Sequence, residues 1–78
     1  MKFWAYVFVD TEDPGPRRIV GEIRKLAGVV KADALFSTPD IIAIDEGDDL
    51  AAMDGVIDRI VEIPGERDTD TKVARWIP

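Results

Sequence analysis

The stretch that decides the fold is "FSTPDIIAID", Phe36 to Asp45. It starts at the end of one apolar run, Val29 to Phe36, and ends in another, Ile41 to Ile44. Between them stands a polar corner. A tight hairpin turn usually carries Asn-Gly or Asp-Gly. Ser37-Thr38-Pro39-Asp40 is wider and more polar, and such corners on rigid strands are where ligands tend to be held. "VVKADALF" and "IIAID" therefore read as two strands joined by this corner.

Toward the N-terminus, "MKFWAYVFVD" is rich in aromatic and β-branched residues and reads as an opening strand. "TEDPGP" is the turn after it. Asp13 before Pro14 can cap a helix with proline at its first position, and Gly15 before Pro16 is the competing start. Ile19, Val20, Ile23 and Leu26 then recur at helical spacing, with Arg17, Arg18, Glu22, Arg24 and Lys25 on the other side. Gly28 is expected to end this helix at its C′ position. Toward the C-terminus, "EGDD" opens a second helix with Gly47 or Asp48 as cap and Asp49 in its first turn. Leu50, Met53, Val56, Ile57 and Ile60 form its buried stripe, and it stops before Pro64-Gly65. "ERDTD" is a polar turn or strand entry, and "TKVARWI" is the last strand.

The order β-α-β-β-α-β predicts one α+β domain over residues 1–78. It is the ferredoxin-like arrangement, a four-stranded antiparallel sheet with two helices on one face.

Composition narrows the function. The 78 residues have no cysteine or histidine, so disulfide staples and soft metal-ligand sets are excluded, and no cofactor is expected. Acidic residues outnumber basic ones by 16 to 10, for a net charge of −6. The basic residues are scattered, which speaks against direct nucleic-acid binding. The apolar run Phe3 to Val9 is too short to span a membrane and lacks a small-residue cleavage site, so a cytoplasmic protein is expected. Aspartate outnumbers glutamate by 11 to 5, with no Asn or Gln, as a salt-adapted surface would have.

The strands are apolar on both sides. Trp4, Tyr6 and Phe8 share one face of the first strand, and Phe3, Ala5, Val7 and Val9 the other. Ile42 and Ile44 oppose Ile41 and Ala43, and Ala74 and Trp76 oppose Val73 and Ile77. A sheet with one solvated face should alternate apolar and polar instead. Burying three aromatic rings contributes on the order of 10 kcal/mol before entropy is charged, comparable to the whole stability of a small domain. The face away from the helices is therefore expected to pack on another copy, with Trp4, Tyr6, Phe8 and Trp76 in a dimer interface.

Several local patterns resemble one family. Gly28-Val29 after the first helix, Asp40 in "PDIIA", Asp49-Leu50 at the second helix, "IPG" at Ile63 to Gly65 and "TDT" at Thr69 to Thr71 stand in the order found in the effector-binding (RAM) domain of Lrp/AsnC, or feast/famine, transcription regulators. The chain is similar to a stand-alone form without the helix-turn-helix, because its first strand begins at residue 2. The resemblance implies a ferredoxin-like domain that dimerises through its sheet and can close into larger rings. It also implies an amino-acid effector held near the corner and the last strand, and co-assembly with full-length regulators of the family. Ser37 stands where the family pattern has glycine, and Pro39 where it has an aromatic residue.

On this reading the ligand-binding residues are Ser37, Asp40, Thr69 and Thr71. Asp40 would neutralise an α-amino group and the threonines would donate hydroxyls to a carboxylate. Asp40 can equally stabilise its own corner by an Asx-type bond. The run "DEGDD" lacks the spacing of a Ca²⁺ loop and reads as a helix cap. With Ser37 the only serine and no His or Cys beside it, nucleophilic machinery has no parts, and no catalytic residue is assigned. The expected function is a non-catalytic, self-associating amino-acid sensor that modulates regulators of its own family. The alternatives are an oligomerisation module without ligand and a small dimeric enzyme of the α/β type.

Overall fold

A computed structural model describes all residues, Met1–Pro78. The chain runs β1 (Phe3–Thr11), α1 (Arg17–Arg24), β2 (Val29–Ala34), β3 (Ile41–Gly47), α2 (Leu50–Val61) and β4 (Glu66–Val73). The strands form one sheet in the order β2-β3-β1-β4, every neighbouring pair antiparallel. This is the ferredoxin-like βαββαβ fold that the sequence predicts.

Strand alternation sets the layers. Ala5, Val7 and Val9 of β1 and Ile41 and Ala43 of β3 are fully buried. All but Ala5 join Ile19, Val20 and Ile23 of α1 and Val56 and Ile60 of α2 in a single core. Each such Val or Ile is worth about 1.5–3 kcal/mol when removed from water. Trp4, Tyr6 and Phe8 point the other way, onto the face without helices, where they remain partly exposed. No helix is long and apolar enough to cross a membrane.

Four local expectations are corrected. First, α1 begins at Arg17 after Pro16, so the Gly15-Pro16 start prevails, and Pro16 provides the first acceptor, 2.9 Å from Val20 N. Second, α1 ends at Arg24, and Gly28 instead shapes the turn into β2. Its φ is +94°, and a Cβ there would lie 2.4 Å from Val56 Cγ2, so only glycine lets this turn approach α2. Third, α2 is capped by Asp49, whose Oδ1 accepts from Ala52 N at 2.7 Å; Leu50, at the first helical position, is 55% exposed rather than part of the buried stripe. Fourth, β4 takes in the polar segment from Glu66 and stops at Val73, leaving Trp76 beyond the strand. An edge strand keeps one side in solvent, so it needs no apolar alternation to declare itself.

Candidate functional site

The corner between β2 and β3 is tied to β1 through one side chain. Asp40 N donates to Val9 O at 3.0 Å. One step along β1, Thr11 N donates to Asp40 Oδ2 at 2.8 Å and Thr11 Oγ1 donates to the same oxygen at 3.0 Å. The carboxylate thus takes the place of the next ladder carbonyl. The Thr11 N–H, then its hydroxyl, hold the Asp40 carboxyl below the usual carboxylate range, and the Arg67 charge adds to this. The expected local Asx bond is replaced by a tie to a strand 29 residues away.

Beside Asp40 lies a concavity of about 260 Å³ with no apolar lining, made by Asp10, Thr11, Glu12, Asp13, Gly15, Thr38, Asp40 and Arg67. A second, of about 380 Å³, shares Asp10 and Thr38 with the first and is lined further by Phe8, Pro39, Asp68 and Asp70. The corner therefore gathers carboxylates around a single guanidinium. Arg67 was not expected at this site; the only cue was a lone cation within the acidic run "ERDTD".

The other expected ligand residues are placed differently. Ser37 is exposed on the corner and lines neither concavity. Thr69 and Thr71 stand opposite Val9 and Val7, so both turn toward the helix-covered face. They too line neither concavity.

On the open face, Trp4 is 49% exposed and its indole nitrogen donates to Glu46 Oε2 at 3.0 Å. Lys2 reaches both Glu46 and Asp48, and its hydrogen bond to Asp48 raises its pKa above the ordinary lysine value. Trp76, 75% exposed, faces Trp4 and Tyr6 across a largely apolar groove of about 510 Å³. Phe8 belongs to the corner concavity instead. Three of the four aromatic residues expected in an interface thus share one groove, and the fourth lies further along β1.

Two carboxylates read in the sequence as polar surface residues, Asp45 in the capping run "DEGDD" and Glu66 in the turn "ERDTD", prove to be buried instead. Asp45 is fully buried on the helix face, and neither of its oxygens has a hydrogen-bond partner. Burial pushes its pKa up to about 6; the nearby N–H groups of Asp45 and Ala5, too poorly placed to bond, offset this only in part. The oxygens of Glu66, at the start of β4, are likewise buried and unpaired, and burial raises its pKa to about 7. Asp45 shares strand parity with Ile41 and Ala43, the signal that could have revealed it.

No family model matches the chain, and no curated protein matches its sequence. Solved structures do. FFRP-DM1 is 22% identical over 94% of this chain and 99% of its own, with a TM-score of 0.84. An AsnC family transcriptional regulator from Agrobacterium tumefaciens is 19% identical over 97% of this chain but 52% of its own, with a TM-score of 0.82. A transcriptional regulator from Neisseria meningitidis, solved as a complex with L-Met, is 19% identical over 95% of this chain and 50% of its own, with a TM-score of 0.75. The fold is therefore that of FFRP-DM1 and of about half of an AsnC-type regulator.

Proposed function

We propose that this chain is a non-catalytic regulatory domain of the Lrp/AsnC type, which associates with itself through the open sheet face and binds an α-amino acid or a related zwitterion at the Asp40 corner. The observation that carries this reading is the overlay of nearly the whole chain on half of regulators of that class, one of them solved with L-Met. The chemistry of the corner supports it. A zwitterion needs anionic acceptors for its ammonium group and a cation for its carboxylate, and Asp10, Asp40 and Arg67 line one concavity. Ser37, exposed on the corner, can meet a ligand arriving from a neighbouring copy. Thr69 and Thr71 would meet only a part of it that enters from the helix side. Modulation of full-length regulators follows if the same sheet face accepts their corresponding domains.

Thermal unfolding in the presence of each of the twenty amino acids tests the sensing half. A ligand at a hundred times its Kd adds about 2.7 kcal/mol, a shift of several degrees for a chain of this size. If none of the twenty moves the midpoint, the amino-acid reading fails. One observation favours a second reading, an assembly module without ligand: Asp40 Oδ2 is already committed twice to Thr11. Arg67→Ala separates the two, since sensing requires it to abolish the ligand shift, whereas a bare assembly module shows no shift to lose.

A further inference from the structure

The two concavities at the corner adjoin each other, since Asp10 and Thr38 line both. Their other walls differ. The first holds Arg67 and Asp40 and has no apolar residue in its lining. The second sets the Phe8 ring and Pro39 beside Asp68 and Asp70. A molecule held by its polar head in the first thus extends, past Asp10 and Thr38, into a space with apolar flanks and two further carboxylates.

Strand register is the source of this charge. Asp10 of β1 stands directly opposite Asp68 of β4, and Phe8 opposite Asp70. The pairing of β1 with β3 reaches only Val9 and Ile41, so on its other side Asp10 has the corner for a neighbour. Like charges directly opposed across a strand pair are destabilising. The chain relieves this only in part. Lys72 Nζ lies 3.3 Å from Asp70 Oδ2, but no cation of the chain pairs with Asp10 or Asp68. Asp68 spends one oxygen, Oδ1, on the N–H of Thr69 at 3.0 Å. Across the two concavities Asp10, Glu12, Asp13, Asp40, Asp68 and Asp70 stand with Arg67 as the single cation.

A neutral zwitterion answers only part of this arrangement. Its own charges cancel, and the negative excess at the corner remains. A second positive group, at the end of the ligand's side chain, meets the Asp10 and Asp68 pair. The methylenes that carry it lie along Phe8 and Pro39, as a lysine stem covers apolar surface while its head stays among charges. An aromatic ring also attracts a cation placed over its face. A purely apolar side chain would instead desolvate these carboxylates without a partner, which is costly.

Resting on the amino-acid reading above, we infer that the ligand of the corner is a cationic α-amino acid of the lysine, ornithine or arginine type, its side chain selected by Asp10 and Asp68. Arg67 and Asp40 hold the head that all amino acids share, and the opposed aspartates decide which of them stays.

Isothermal titration of the intact chain at low salt tests this. The tightest of lysine, ornithine and arginine is expected to bind at least about tenfold better than norleucine, which has an apolar stem and no side-chain cation. It is expected to exceed its own decarboxylated amine by a similar factor, because the amine leaves Arg67 unmatched. Asp68→Asn keeps an acceptor for Thr69 N, removes the charge, and is expected to lower the preference over norleucine at least about fivefold. Norleucine binding as well as the cationic amino acids, or a preference that Asp68→Asn leaves intact, overturns the inference while the amino-acid reading stands. An amine that binds as well as its amino acid overturns both. If none of the twenty amino acids binds, the amino-acid reading has failed and takes this one with it. Far-ultraviolet circular dichroism checks the fold of the variant, and the wild-type comparisons decide without it.

Discussion

The two sides of β1 are built from similar side chains and meet different fates. Ala5, Val7, Val9 and Thr11 are almost completely buried under the helices. Trp4, Tyr6, Phe8 and Asp10 alternate with them and lie on a face that the chain does not cover with its own helices. Composition alone cannot tell these sides apart, because both are apolar. What distinguishes them is size: from Ala5 to Thr11 the covered side carries small and β-branched residues that interdigitate with helices, and the open side carries the large rings of Trp4, Tyr6 and Phe8, two of them with a polar handle. A core between helix and sheet rewards close packing, whereas an interface rewards broad amphipathic surfaces. One strand thus serves two assemblies at once, its own fold and, by proposal, a second copy.

The largest expected effect falls on the covered side. Ile60→Ala empties a fully buried position and should cost about 3 kcal/mol in urea unfolding, a large fraction of the stability of a domain this small. Next, Phe8→Asp on the open side should leave monomer unfolding nearly unchanged but weaken self-association at least a hundredfold in sedimentation. Equal losses of stability from both substitutions would erase the distinction between the sides.

Asp45 sharpens it further, as a charge placed on the covered side without a partner. A carboxyl whose folded pKa is raised contributes stability that is fully present below its unfolded value near 3.8 and is lost as pH rises through about 6. Glu66 acts in the same direction, through about 7. Thermal midpoints should therefore climb as pH falls from 8 to 5. Asp45→Asn should flatten that climb and add on the order of 1–2 kcal/mol at pH 8. A wild-type profile that Asp45→Asn leaves unaltered would refute this role. The smallest effect belongs to Asp40, whose lowered pKa stabilises the fold above the unfolded value near 3.8 and stops doing so as pH falls through the folded one. Asp40→Ala should lower the thermal midpoint at neutral pH only slightly, by freeing the Thr11 N–H and hydroxyl.

The order of elements and the two-sided character of β1 were legible because strand and helix periods are strong signals over long apolar runs. The open-face position of Trp4, Tyr6 and Phe8 follows from the same strand period, whereas Asp40 was singled out by its polar corner and by the family pattern rather than by any period. The extent of β4 was not legible, since an edge strand written Glu-Arg-Asp-Thr-Asp has no apolar period to read. Arg67 was missed with it, because a residue in an unrecognised strand has no assigned neighbours. Asp45 was hidden by its chemistry: an aspartate after three isoleucines looks like the end of a strand, yet β3 continues to Gly47. Thr69 and Thr71 were found as strand residues, but which way they turn depends on the register against Val9 and Val7, and register is set across the whole chain.

The sheet order has a consequence for the birth of the protein. Of the four strands β1 leaves the ribosome first, yet one of its two neighbours is β4, the last, with Ala5 aligned to Val73. Until β4 is free of the exit tunnel, an aromatic strand waits with one edge unpaired, and closing so long a loop slows the step that would shelter it. Folding of this domain during synthesis should therefore lean on chaperones, and truncation just ahead of β4 should yield an aggregating product rather than a smaller folded one.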